Sequence, residues 1–316
     1  MSRSDLIFSM LKLNWRESAE SLPEFVRQIN EGNAFEIDTD FVIRCLFAVS
    51  DLGTKFELDL LRRKDNVERL RKNFQACCDA IRSVVDAVSR DCWCSSSTLL
   101  GGQTTLVPFV YYLFHAPKHE IPNGQIEAFR KALYMFAFAR PFSRYADSRL
   151  WKFIRQELKV LADKKDSHFP FDRAVYWVKY WEAIGGFDDR LLQSNVPLTL
   201  HVLQNLSTDK AHYTRNAGQI DHIFPRAELR KKQQFEEAEI NHFGNFWILA
   251  KGKNQNKSDK HPAQFFADVN DSEIKRAVID RDMLHYGRFR TFIKERSEKI
   301  RTVVAKRLEF TNGDFE

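Results

Sequence analysis

The stretch Asp65–Val88, DNVERLRKNFQACCDAIRSVVDAV, decides the fold class. Its apolar residues fall at Val67, Leu70, Phe74, Cys77, Ile81, Val84 and Val88. Alternating steps of three and four lay one apolar stripe along a single helix. Asp65, with Glu68 three residues on, predicts a capping box at its start. Upstream, Asp40–Val49 (DFVIRCLFAV) is apolar nearly all round, which predicts a central helix stopping near Gly53. Downstream, Ile126, Phe129, Leu133 and Phe136 predict a helix ended by Pro141, and Leu150, Phe153, Ile154, Leu158 and Leu161 predict another. The aromatic run from Phe171 to Ile184 predicts a further helix, stopped at Gly185-Gly186. The segment Cys94–Pro108 (CSSSTLLGGQTTLVP) reads as the longest loop; its Gly101-Gly102 lacks the lysine and spacing of a phosphate-cradling loop.

The composition agrees with a helical chain. Hydrophobic residues make up 43%, enough to bury a core, and 27 phenylalanines predict aromatic helix interfaces. With 12 glycines and 9 prolines, turn-rich sandwiches are disfavoured. A chain of 316 residues has room for two domains. The formal charge of +6 suits a polyanionic partner. The five cysteines (Cys45, Cys77, Cys78, Cys92, Cys94) show neither a disulfide framework nor zinc-ligand spacing, so they read as reduced thiols, some filling the core. No apolar run is long enough to span a bilayer, and the opening MSRSDLIFSMLKLNW has no signal-peptide pattern. The expected location is the cytoplasm, with no membrane partner.

After about residue 210 the pattern becomes short and mixed, with QIDHIFP at 219–225 and FGNFWILAKGKNQNKSDKHP at 243–262. Phe246–Ala250 reads as a short buried strand. Helical signals return after residue 270 (Ile274, Val278, Phe289, Phe292, Ile293, Ile300, Val304). Asp221-His222, Gly244-Asn245, Asn254 and Lys257 all fall within forty residues, and their types suit phosphodiester hydrolysis. A hard divalent cation prefers oxygen ligands, which Asp221 and Asn254 offer. His222 has the right pKa to deprotonate water. Asn245 can hold one imidazole N–H and fix the ring. On a helix, Asn254 and Lys257 share one face, so Lys257 can reach the phosphate. Adjacent strand residues point oppositely, so Asp221 and His222 serve one site only if the strand bends or ends there; Pro225 is consistent with such an end.

The pattern D-H-I-x-P, then G-N before an apolar strand, then N-x-x-K, resembles the ββα-metal fold of HNH endonucleases. The resemblance implies Asp221 and Asn254 as metal ligands and His222 as general base. It implies Asn245 as the residue that positions the base and Lys257 as a phosphate contact. It also implies Mg²⁺, with Mn²⁺ as a substitute, and no structural zinc, since all cysteines precede residue 95. Residues 222–260 hold eight Lys/Arg against five Asp/Glu. Among them Arg226, Arg230, Lys251, Lys253 and Lys260 are the candidate DNA contacts. His212, His242 and His261 read as loop residues beside the site.

Over more of the chain, the sequence is similar to the C-terminal half of GmrSD-type restriction proteins, modification-dependent bacterial defence systems against phage. SRSDLIFSMLKLNW, DTDFVIRCLFAV and LVPFVYYLF carry the helical part of that likeness. The family's ParB-like nucleotidase domain carries a D-G-Q-Q-R motif, which does not occur here. The resemblance thus implies a ParB-like partner domain or subunit, with this chain a fragment or the nuclease half of a split system. A double-strand cut would imply a homodimer or sequential nicking. The expected architecture is mainly α: a helical domain over 1–205, then a small ββα module with C-terminal helices over 206–316. The expected activity is metal-dependent DNA hydrolysis. The alternatives are a degenerate, non-catalytic binding module and an RNA-directed nuclease.

Overall fold

The computed structural model describes residues 3–94, 96–205, 219–249 and 260–315. Helices account for 67% of the structure and strands for 4%, as the periodicities require. The chain divides into two compact units, Met1–Ala183 and Ile184–Glu316.

The first unit contains α1 (Arg3–Asn14), α2 (Ser18–Ile29), α3 (Thr39–Val49), α4 (Leu58–Leu61), α5 (Lys64–Arg90), α6 (Val107–His115), α7 (Ile126–Ala139), α8 (Ala146–Phe153), α9 (Lys159–Asp163) and α10 (Phe171–Glu182). The central helix α3 is buried along most of its length, and Asp38 caps it by accepting from Phe41 N at 2.7 Å. Helix α5 buries Val67, Leu70, Cys77, Ile81, Val84 and Val88, the stripe its spacing demands. Its start differs from the expected capping box. Arg63 occupies the N-cap position with no side-chain cap, and Asp65 lies inside the first turn, where its charge meets the positive end of the helix dipole.

The expected loop at 94–108 is shorter than its letters suggest. A 3₁₀ turn over Gln103–Leu106 runs into α6, and Pro108 sits in the first turn of that helix, where a missing N–H costs nothing. Between α8 and α9, residues Ile154–Leu158 form a π-helical turn, so one expected helix is three joined pieces. Phenylalanines knit the core: Phe109 meets Phe129 at 4.7 Å and stacks on Phe169 at 5.3 Å. All five cysteines are unpaired and buried, and desolvation raises their thiol pKa values, that of Cys94 to about 12.

The second unit contains α11 (Asp189–Ser194), α12 (Val196–Asn205), β1 (Gln219–His222), α13 (Arg226–Lys231), α14 (Glu237–Ile240), β2 (Phe246–Leu249), α15 (Pro262–Ala267), α16 (Asp271–Arg276) and α17 (Phe289–Arg307). β1 and β2 pair antiparallel, Asp221 opposite Trp247 and His222 opposite Phe246. Phe224, Trp247, Phe266, Phe289 and Phe292 fill the core behind them.

The division at Ala183/Ile184 lies earlier in the chain than the expected boundary at 205/206, and two glutamines show why. The Gln204 amide accepts from Ile248 N at 2.7 Å and donates to Ile248 O at 3.4 Å, acting as the missing neighbour strand of β2. Gln193 accepts from Phe243 N at 2.7 Å and donates to Asn241 O at 3.0 Å. Helices α11 and α12 therefore complete the hairpin segment. Among the described residues no helix is long and apolar enough to cross a membrane.

Candidate active site

β1 ends at His222, and Ile223-Phe224 turn the chain into Pro225 and α13. The strand therefore ends directly after Asp221 and His222. Both Asp221 and His222 are half-buried. The His222 ring lies on its cross-strand neighbour Phe246, with centroids 4.4 Å apart. His222 Nε2 is 3.1 Å from Asn241 Oδ1.

The chemistry of Asn241 fixes the direction of that bond. Its Nδ2 donates to Glu237 Oε2 at 3.1 Å, and an ionised carboxylate only accepts. Oδ1 therefore faces the histidine, and Nε2 must be the N–H donor. In the neutral ring this leaves the lone pair on Nδ1. Glu237 is itself held by Arg230 at 2.5 Å and Arg226 at 3.2 Å. The hydrogen bond from Arg230 is the largest cause lowering its carboxyl pKa, to about 2, so it stays ionised through the ordinary pH range.

Asn245 does a different job from the one its spacing suggested. It is fully buried. Its Oδ1 accepts from Phe224 N at 2.9 Å, and its Nδ2 donates to Ile240 O at 2.9 Å and Phe224 O at 3.3 Å. Its carbonyl accepts from Ile223 N at 2.7 Å. Asn245 thus locks the backbone that follows His222, while Asn241 touches the ring. The signal for Asn241 was present: it lies four residues after Glu237, one helical turn on. Gly244 allows a close approach to α17, since a Cβ there would meet Ile293 Cγ2 at 2.9 Å and Ile293 O at 3.0 Å. Arg296 reaches from α17 to donate to Gly244 O at 2.7 Å.

The remaining candidates separate into three groups. Arg226 and Arg230 are exposed and engaged by Glu237, so both carry a structural bond as well as charge. Lys260 is exposed. Lys251, Lys253, Asn254 and Lys257, with His212, lie outside the described residues. His261 caps α15, its Nδ1 accepting from Ala263 N at 3.3 Å.

His242 caps the short turn at Phe243–Asn245, its Nδ1 accepting from Gly244 N at 3.1 Å. Burial pushes its pKa down, with Asp189 opposing that shift. The folded chain therefore favours the neutral ring, and the unfolded chain takes up the proton first. Stability should fall as pH drops through the ordinary histidine range toward the lower folded value. His242→Asn, which keeps a capping acceptor and removes the titration, should flatten that dependence. Urea midpoints measured across this range for both proteins check it; identical pH slopes would show that His242 contributes nothing.

The donor set suits a hard cation held in part by other oxygens. Asp221 supplies one carboxylate at the hairpin, and Mg²⁺ characteristically uses one or two carboxylates together with water and phosphate. Among the described residues no cluster of three His, Cys, Asp or Glu side chains could hold a metal.

No curated protein matches the sequence. One family model does, over residues 125–303, which take in the end of the helical unit from residue 125 on and the hairpin with Asp221, His222, Asn241 and Asn245. The N-terminal segments SRSDLIFSMLKLNW, DTDFVIRCLFAV and LVPFVYYLF precede the matched residues. With more than half of its length matched, including the whole hairpin, the chain belongs to the family of GmrSD restriction endonucleases, C-terminal domain.

Proposed function

We propose that this chain is an HNH-type endonuclease that hydrolyses DNA phosphodiester bonds with a divalent cation, in the restriction of foreign or modified DNA. The observation that carries this reading is the bond from His222 Nε2 to Asn241 at the end of a strand that begins its turn there. A catalytic base needs a fixed ring and a known tautomer, and Glu237 and Asn241 supply both.

In this reading His222 Nδ1 takes the proton of the attacking water. Asn241 holds the ring in plane and steadies the imidazolium that results. Asn245 keeps Ile223 and Phe224 from shifting and so keeps His222 at the strand end. Asp221, with Asn254 from the segment outside the described residues, would hold Mg²⁺ or Mn²⁺. Bound there, the cation supplies charge neutralisation at the phosphate and the leaving oxygen. Lys257, Lys260, Lys251 and Lys253 are the proposed phosphate contacts. The family relationship extends the proposal to a ParB-like nucleotidase or sensor partner, and a double-strand cut would take a homodimer or sequential nicking.

Supercoiled plasmid incubated with the protein tests the reading. Relaxation should occur with Mg²⁺ or Mn²⁺, stop with EDTA, and be lost in Asp221→Ala. A wild-type protein that cuts in neither metal overturns the nuclease and leaves a binding module. Cleavage of RNA with intact plasmid would redirect the substrate to RNA.

A further inference from the structure

The helical unit carries an aromatic surface that the cleavage site does not use. Tyr145, Tyr176 and Tyr180 are 76%, 47% and 65% exposed, unusual for rings of this size. On α10, Tyr176 and Tyr180 lie one turn apart with their planes within 5° of parallel. Trp177 meets Tyr176 and Tyr180 edge-on at 5.3 and 5.9 Å, and itself stacks on Trp181 at 4.9 Å. Trp177 thus packs against both tyrosines and joins them into one aromatic face.

Cations thread this surface. The Arg173 guanidinium sits 4.4 Å from the Tyr176 centroid, and the Lys152 ammonium is 4.8 Å from Trp177 and 5.9 Å from Tyr180. Arg149 lies between Trp181 and Tyr145. Two local carboxylates are already engaged: Glu157 takes Arg173 and the Trp177 indole N–H, and Glu182 takes Arg149. Arg144, Lys152 and Arg155 are exposed, and no carboxylate among the described residues pairs with them. Asp172, exposed one turn before Tyr176, places the acidic end of the face at the start of α10. Of these, Lys152 is the cation that reaches the tyrosine face, 5.9 Å from the Tyr180 centroid; Arg155 follows it three residues on, and Arg144 precedes α8 next to Tyr145 in sequence.

We infer that this face binds single-stranded nucleic acid, with unpaired bases stacking on Tyr176 and Tyr180 and phosphates lying along Lys152, Arg155 and Arg144. Flat rings with flanking cations match the two chemistries of a single strand, π-faces and a polyanionic backbone. In a duplex the base faces are covered, so stacking selects unpaired nucleotides. The face would hold a melted, displaced or end-frayed strand, and it requires neither a metal nor His222.

Fluorescence anisotropy with labelled oligo(dT), oligo(rU) and a duplex, all in EDTA, tests this without any cleavage. The single strand should bind, and Tyr176→Ala/Tyr180→Ala should weaken it by about tenfold or more, since a stacked base contributes on the order of 1–3 kcal/mol. Tyr176→Phe/Tyr180→Phe should keep the affinity. Lys152→Gln/Arg155→Gln should lower the slope of log affinity against log salt by about 1.4, the loss of two phosphate contacts on a single strand. The dT and rU arms separate DNA from RNA. Unchanged single-strand affinity in the alanine variant overturns the inference, as does a dimer that this variant dissolves while oligonucleotide binding stays the same. Should the alanine variant unfold, an unaltered salt slope in the charge variant overturns it instead. Because binding is read in EDTA, its failure is separate from failure of the proposed hydrolysis.

Discussion

Replacing His222 by alanine is expected to slow plasmid cleavage by about 10²–10⁴-fold, the usual contribution of a positioned general base. The protein should stay folded, because His222 is half-buried at a strand end and its backbone pairing with Phe246 survives the change. Asn241→Leu should lower kcat by a smaller factor and leave KM nearly unchanged, since both polar atoms of its side chain are taken by His222 and Glu237. It also removes the acceptor that holds Nε2–H, so the ¹⁵N shifts of the His222 imidazole should move from a single tautomer toward a mixture. Asn241→Asp keeps an acceptor oxygen at the ring but places a second carboxylate against Glu237, so it should retain the tautomer better than leucine. Equal cleavage rates for wild type and His222→Ala would remove His222 as the base. An unchanged imidazole spectrum in Asn241→Leu would remove Asn241 from the site.

The second large effect is expected at Arg296, on stability first. This side chain is 2% exposed and donates to Ala277 O at 3.1 and 2.8 Å and to Gly244 O at 2.7 Å. Burial lowers its guanidinium pKa to about 9, which leaves it charged at neutral pH. Its three hydrogen bonds go to backbone carbonyls, so the charge is balanced by dipoles. Arg296→Met fills much of the volume and removes the cost of burying a charge, yet it leaves two dry carbonyls without donors. Each unsatisfied buried acceptor costs about 1–3 kcal/mol, so the second unit should lose about 2–5 kcal/mol. Loss of the tie to Gly244 O should also loosen the loop that Asn245 and His242 organise, so cleavage should fall with the melting temperature. Arg296→Lys, with one compact donor group in place of a planar fork, should fall between the two. Thermal and urea unfolding check this; a methionine variant as stable as wild type would show that the carbonyls find other donors.

Both effects converge on one short region, and they arise from different levels of structure. The ring at His222 is positioned by side chains of the hairpin segment itself. The backbone beneath it is held from α17 by Arg296, and from α11 and α12 by Gln193 and Gln204. The hairpin is only four residues long on each strand, too little to be stable by its own pairing. Its geometry is therefore borrowed from the helices around it.

The sequence by itself determined the helices, because their apolar stripes are periodic and local: the α5 stripe, the nearly all-apolar α3 and the arrest before Pro141 can be read letter by letter, while α10 stops at Glu182, with Ala183 in the left-handed region, ahead of the expected glycine pair. It also determined the grouping of Asp221, His222, Gly244 and Asn245, since a strand, a turn and a close backbone approach each leave a residue signature. What only the tertiary structure decided was which amide reaches the histidine. Asn241 and Asn245 are alike as letters, and the turn at Phe243–Asn245 sends one toward the His222 ring and the other into the backbone of Phe224. The buried Arg296 was equally hidden among the arginines and lysines of α17, as was the attachment of α11 and α12 to the hairpin. Periodicity reports which face of an element is apolar; the partner of a polar side chain depends on where distant backbone carbonyls and amides arrive in the fold.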